Sequence, residues 1–199
     1  MRTCYLPLKR AVVLSAALCG LLGLHCETQS FTPDNNPVFL IPMNVGNAWY
    51  YQTDYVDTLG NVITSTNTTV TIYADSLAGA DRWFGFLSEG YRMNKPEGVW
   101  QLQPTPFLEF PVTVGDSVLR GNGTTYTHLL SKGTRVTVPA GTFVCYEYAE
   151  TNPTNNALLN KFYLALSLGE VKREVFSGSS QYPDTVSQLI TYTILPGSS

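Results

Sequence analysis

The residue with the clearest chemical assignment is Cys26. It follows an uncharged apolar run, Ala11 to Leu24, which is itself preceded by the basic residues Arg2, Lys9 and Arg10. A basic start, a short apolar core and a cysteine at its exit form the layout of an export signal that ends in a lipid attachment point. The run is short for a bilayer crossing and has basic residues on one side only, which disfavours a retained membrane helix. His25 stands where a usual bacterial lipobox has a small residue. Cys19, after Ala16-Ala17-Leu18, lies inside the apolar run, so Cys26 is the expected acylation site. Cys4 and Cys19 leave with residues 1–25. Cys145 then remains either without a partner or, in the competing reading, disulfide-bonded to Cys26.

The remaining reactive side chains are sparse. Beyond the export signal the chain has one histidine, His128, on the strand face of Tyr126 and Leu130, a place more often taken by a packed or hydrogen-bonded imidazole than by a catalyst. Gly115-Asp116-Ser117-Val118 looks like the nucleophile block of GDSL-type esterases. Those enzymes set the serine at a helix start and recruit a histidine near the chain end, whereas here strand pattern continues and no histidine follows residue 128. Asp57-Thr58-Leu59-Gly60 reads as a hairpin turn, because Leu59 sits where an aspartic protease needs its tight glycine. No catalytic residue is therefore assigned. Paired carboxylates that meet only in the fold leave an envelope-glycan hydrolase as an alternative.

No Cys or His pair has ligand spacing and no Asp-x-Asp-x-Asp ladder occurs, so neither a metal site nor a cofactor is assigned. Cys145, beside Phe143, Val144 and Tyr146 and far from histidine, reads as an inert core thiol. Asn67-Thr68-Thr69 and Asn122-Gly123-Thr124 match glycosylation sequons, which a bacterial lipoprotein would not normally use.

Aromatic side chains give the main binding signal. Trp49, Trp83 and Trp100, with Phe107 and Phe110, are the candidate ligand- or partner-binding residues, although aromatics also build β cores. The segment Gln101 to Pro111, QLQPTPFLEFP, is the best candidate for a recognition surface: prolines hold it extended while Phe107, Leu108 and Phe110 need burial against their own sheet or a partner.

These side chains must be positioned by strands. Only 14% of the residues are charged, and Thr, Ser, Tyr and Gly are abundant, the composition of a turn-rich β protein. Residues 1–25 form the export signal, 26–37 a polar flexible tether and 38–199 a single β-rich domain. Trp49, Tyr51 and Tyr55 alternate with polar residues, and Leu59-Gly60-Asn61 turns the chain into a Thr-rich strand, Val62 to Tyr73, with Val70 and Ile72 on one face.

Turn sequences then recur near the spacing of an all-β fold, at Gly79-Ala80-Asp81, Glu89-Gly90, Lys95 to Gly98, Gly121 to Gly123, Lys132-Gly133 and Ala140-Gly141. Later faces are Val144, Tyr146 and Tyr148; Phe162, Leu164 and Leu166; Val171 and Val175, away from Glu170, Lys172 and Glu174; and Val186, Ile190, Tyr192 and Ile194. Helix is limited to a turn or two near Thr154 to Leu159. Short connections join antiparallel neighbours, so the expected fold is an antiparallel meander curled into a half-barrel or open barrel.

One stretch echoes another. Ile41-Pro42-Met43-Asn44-Val45-Gly46-Asn47-Ala48 shares the frame apolar, Pro, two variable, Val-Gly, Asn/Asp, small with Phe110-Pro111-Val112-Thr113-Val114-Gly115-Asp116-Ser117. The two copies can open equivalent halves of one sheet, or can be a turn that β proteins reuse.

The blocks VGNAWYY at 45–51, FLEFPVTVGDS at 107–117, VTVPAGTFVCYEY at 136–148 and FYLALSLGEVKRE at 162–174 resemble the TapB-like group of bacterial exported proteins and lipoproteins of unassigned function. Ser167 stands where those relatives usually have a glycine, and Val118 where they often have Trp. The resemblance implies a β-rich envelope domain and no particular reaction.

Without residues 1–25 the chain keeps all 15 acidic groups and loses three of its 12 basic ones, for a net charge of −6. That sign, with no basic run interleaved with aromatics, excludes a nucleic-acid binder, and no polybasic patch addresses anionic lipid. The expectation is a non-enzymatic lipoprotein of the bacterial envelope, held at the outer membrane by lipid on Cys26, that binds an apolar ligand or a protein partner on a concave face or on the 101–111 loop. A structural or assembly subunit is a further alternative.

Overall fold

The computed structural model describes residues 39–87, 89–101, 106–110, 112–120, 123–177 and 181–196. Contacts divide the chain into units 1–35 and 36–199, and the described residues belong to the second. Cys26 and the proposed tether lie outside them.

Among the described residues there is no helix. Twelve strands form one sheet: β1 (Ala48–Val56), β2 (Val62–Ala78), β3 (Asp81–Phe86), β4 (Gly90–Lys95), β5 (Gly98–Gln101), β6 (Pro106–Glu109), β7 (Ser117–Leu119), β8 (Tyr126–Val138), β9 (Gly141–Thr151), β10 (Leu158–Ala165), β11 (Gly169–Val175) and β12 (Thr185–Thr193). The order across the sheet is β6-β5-β4-β3-β2-β1-β12-β11-β10-β9-β8-β7, and every pair is antiparallel. The sheet is thus two sequential meanders, β1–β6 and β7–β12, joined where β1 pairs with β12. It curls into a nearly closed barrel whose two free edges, β6 and β7, are consecutive in the chain.

The echo opens each meander, and the structure repeats it bond for bond. Gly46 (φ +97°) donates its N–H to Ile72 O at 2.8 Å, and Ile72 donates back to Asn47 O at 2.9 Å. In the second half Gly115 (φ +95°) donates to Leu129 O at 2.9 Å, and Leu129 donates back to Asp116 O at 3.3 Å. Asn47 N and Asp116 N each close a turn at 3.0 Å, onto Asn44 O and Thr113 O. Glycine is required at both places because the left-handed backbone disfavours a Cβ.

Residues 39–47 run from the β10–β11 turn to β4: Ser167 N donates to Phe39 O, and Asn94 Nδ2 donates to Ile41 O, both at 2.9 Å. Leu40, Ile41 and Met43 are buried in the core with Trp49, Ile72, Phe86, Val99, Leu108, Leu129 and Leu189. Asn47 is fully buried, its side chain donating to Pro42 O and accepting from Leu195 N, so burial leaves its polar atoms satisfied.

Several face assignments change at bulges, where one extra residue inverts the side-chain alternation. A shift between Tyr50 and Tyr51 in the β1–β12 ladder puts Leu189 in the core and leaves Tyr192 exposed, so the Val186–Ile190–Tyr192–Ile194 face is not the buried one. A shift between Tyr163 and Leu164 turns Glu170 inward beside fully buried Val171. Val144 is exposed although the sequence pattern groups it with Tyr146 and buried Tyr148, Cys145 is buried as a core thiol, and Tyr55 is also exposed. The stretch near Thr154 is a hairpin turn held by Asn156 N to Asn152 O at 2.8 Å, not a helix.

Candidate functional site

Inside the curl lies a recess walled by Ile41, Trp49, Val70, Phe86, Phe107 and Leu164, with Tyr51, Glu89, Arg92 and Glu170 forming its polar side. It encloses about 390 Å³ of atom-free space, part of it open solvent, but a water-sized body can centre itself in only about 30 Å³. A larger ligand must displace a wall. Phe107 is the wall that sits on an edge strand, the four-residue β6, where it packs edge-on to Phe162 and beneath Arg92 and Arg120. The same ring borders a second, smaller slot with Pro106, Glu109, Val118, Thr127 and Tyr148.

Charge gathers around these spaces as arginine–glutamate pairs. Arg92 meets Glu89, Arg120 meets Glu150 and Arg173 meets Glu170, each at 2.7 Å. Glu150 also accepts from Asn160 Nδ2 at 2.6 Å, and its side chain is only 3% exposed. The guanidinium groups lie over aromatic rings: Arg92 at 5.0 Å from Phe86 and 4.9 Å from Phe107, Arg120 at 4.1 Å from Phe107, Arg173 at 4.9 Å from Phe162. A planar, weakly hydrated cation can pair with a carboxylate along its edge while stacking its face on a ring, so arginine suits this interior where lysine would not.

The electrostatics follow from burial. Desolvation pushes the Glu170 carboxyl up, with Arg173 opposing and Glu89 adding to the rise. Arg173 is pushed up mainly by the Glu170 charge, and burial holds the Tyr51 phenol well above its ordinary range. Arg120 is lowered by desolvation against the pull of Glu150. Among the described residues Arg92 Nε, Arg120 Nε and Thr127 Oγ1 are buried without a hydrogen-bond partner, leaving donor capacity inside the curl.

The aromatic candidates separate into three places. Trp49 and Phe107 line the recess, and the Trp49 indole donates to Leu168 O at 2.7 Å and stacks on Phe86 with ring centres 6.2 Å apart. Trp100 lies opposite Met93 on the other face of the sheet, with Lys95 Nζ 5.0 Å from its ring; the β3–β4 register, continued by one pair, puts Trp83 on that outer face too. Phe110 packs edge-on to Tyr146 at 5.5 Å. Of the 101–111 segment, residues 102–105 and 111 lie outside the described residues; Leu108 is buried, and Phe107 and Phe110 pack against the protein's own core.

The other candidates are placed as follows. His128 Nε2 is 2.9 Å from Thr151 Oγ1, and its ring lies beside Tyr126. Ser117 stands opposite His128 in the β7–β8 ladder, in a strand rather than at a helix start. Cys145 is a free buried thiol whose pKa burial pushes up to about 11. Asp57 caps the β1–β2 hairpin, accepting from Leu59 N and Asn61 N at 2.9 and 2.8 Å. Among the described residues no group of three His, Cys, Asp or Glu side chains could hold a metal ion.

Sequence reading missed the three arginines and their glutamates. On strands, charges that alternate with apolar residues look solvated, and only the bulges and the curl turn these inward.

No family model matches the chain, and no curated protein matches it. Among solved structures it is similar to a "putative lipoprotein" from Parabacteroides distasonis ATCC 8503, at TM-score 0.41 and 11% identity over 79% of this chain and 100% of that one. It is similar also to a "putative exported protein with YmcC-like fold" from Bacteroides fragilis NCTC 9343, at TM-score 0.44 and 12% identity with the same coverage. At these scores neither similarity assigns a family or a role, and the resemblance to the TapB-like group has no matching family model behind it.

Proposed function

We propose that the protein is an exported envelope lipoprotein, anchored by an acyl group on Cys26 and held at the outer membrane. In this reading it works as a non-enzymatic binding module for a ligand with an apolar body and one polar end. The observation that carries the binding role is the composition of the recess. Trp49, Val70, Phe86 and Phe107 offer an apolar wall, and Tyr51, Arg92 and Glu170 offer hydrogen-bonding groups on one side of it. The unpartnered Nε of Arg92 is a donor available to a polar head group. Entry requires Phe107 to move.

Trp49 reports on the recess directly. Titration with a medium-chain fatty acid should give a saturable change in tryptophan emission that Trp49→Phe removes and Phe107→Ala strengthens by opening the wall. No saturable change with fatty acids, fatty alcohols or fatty amines, in a protein that stays folded, would sink the reading. Mass spectrometry of the mature N-terminus tests the anchor separately: an unmodified Cys26 overturns it.

The glycan-hydrolase alternative would use Glu89 and Glu170, which share the recess. Each is held by an arginine at 2.7 Å. In each the arginine occupies the Oε2 oxygen, an arrangement that fits holding a polar group in place better than handing a proton to a substrate.

A further inference from the structure

The two free edges of the sheet are not alike, and the internal repeat shows what one of them is built to receive. In the first half, β1 has strands on both sides: Ala48 and Tyr50 pair with Thr193 and Thr191 of β12. Leu195 continues this cover, donating its N–H to Asn47 Oδ1 at 2.9 Å and lying over Gly46. The matching residues of β7 are Ser117 and Leu119. Residues 116 and 120 bond toward β8, through Leu129 N to Asp116 O and Arg120 N to Thr125 O, so Ser117 and Leu119 turn their backbone groups outward. Among the described residues no strand pairs with them.

β6 does not fill the place that β12 fills for β1. Its outward carbonyls are taken by side chains: Tyr148 Oη donates to Glu109 O at 2.9 Å, and Arg120 Nη2 to Phe107 O at 3.4 Å. The slot between β6 and β7 holds two carboxylates, Glu109 and Asp116, the latter accepting from Thr113 N at 3.0 Å, and Thr127 Oγ1, a hydroxyl without a partner among the described residues on a residue only 7% exposed. Burial first, and the Asp116 charge second, push the Glu109 carboxyl up, and among the described residues no cation pairs with either carboxylate.

We propose that the free edge of β7 docks an extended segment of a partner protein. The segment runs antiparallel to Ser117–Leu119 and places a lysine or arginine at Asp116 and Glu109. The recognition is β-strand addition: main-chain bonds to Ser117 and Leu119 supply affinity, and the two carboxylates select a basic residue. This site shares the Phe107 ring with the recess but uses the β7 edge and its carboxylates, and it stands without the ligand reading above.

A synthetic peptide of the β12 sequence, Thr185–Leu195, is the probe, because that sequence already pairs with the matching edge of β1. Position 195 falls beside Asp116 in the repeat, so the peptide carries Leu195→Lys and its control Leu195→Glu. The lysine peptide should slow hydrogen exchange at the Ser117 and Leu119 amides and bind about tenfold tighter than the glutamate peptide. Leu119→Pro removes an outward N–H and leaves the bonds of 116 and 120 toward β8, so it should weaken binding about tenfold. In Glu109→Gln/Asp116→Asn, which keeps the edge intact, the preference for lysine should vanish. Exchange unchanged at saturating peptide, equal binding to Leu119→Pro, or a lysine preference that survives the double variant overturns the proposal. A concentration-dependent dimer that already protects both amides overturns it in favour of a second copy of the chain.

Discussion

Gly46 and Gly115 are the same residue of a repeated unit. Both have left-handed backbone, and both donate to the carbonyl of a buried residue in the next strand, Ile72 in one half and Leu129 in the other. Their surroundings differ. A Cβ on Gly46 would meet Leu195 Cδ1 at 2.9 Å, whereas one on Gly115 would meet nothing within 4 Å. Gly115→Ala should therefore cost about 1–2 kcal/mol from backbone strain alone, and Gly46→Ala more. Urea unfolding midpoints check this, and equal losses would mean that Leu195 moves aside freely.

The buried pair Arg120–Glu150 gives a prediction of larger size. Arg120→Met leaves Glu150 charged and enclosed, at a cost of about 3–5 kcal/mol. Adding Glu150→Gln removes the stranded charge and keeps an amide able to bond Asn160, so the double variant should recover part of the loss. A double-mutant cycle by chemical denaturation measures the coupling. Additive losses would show that the pair does not act as a unit.

Glu109 makes stability depend on pH in a definite direction. Its folded pKa is held above the ordinary 4.5, by desolvation first and by Asp116 second. The folded state thus binds the proton more tightly than the unfolded chain, and this contribution is complete below 4.5 and lost as pH rises through the elevated value. Glu109→Gln has no such loss. Its melting temperature relative to the parent should rise between about pH 4 and about pH 7; a constant difference would refute the assignment.

Cys145 should be silent in the native protein. It is fully buried and its pKa stands at about 11, so little thiolate forms and reagent cannot reach it. A thiol-specific reagent should leave Cys145 unlabelled in the folded protein and label it after denaturation. Fast native labelling would contradict the burial.

The meander was legible because short Gly-containing turns leave adjacent antiparallel pairing as the connection, as at Ala140-Gly141 between β8 and β9. The echo at 41–48 and 110–117 was legible too, since Gly46 and Gly115 are needed for one backbone conformation. The β1–β12 join was not, because no local pattern records a pairing between residues 48 and 193. Nor was the interior charge: Glu170, Lys172 and Glu174 look alike in sequence, and the shift at Tyr163/Leu164 is what separates Glu170 from the other two. Of the candidate site residues, Trp49 and Phe107 come together, while Trp83 and Trp100 belong to the opposite face, a distinction that aromatic content alone does not carry.

Because the sheet breaks between consecutive strands while its first and last strands pair at its middle, the order of the gene and the order of the sheet are offset by half a turn. A circularly permuted chain that keeps residues 39–196 and has its new ends cut between 112 and 116 would keep every ladder described above. Two separately made six-stranded fragments would have to find one another through that ladder alone.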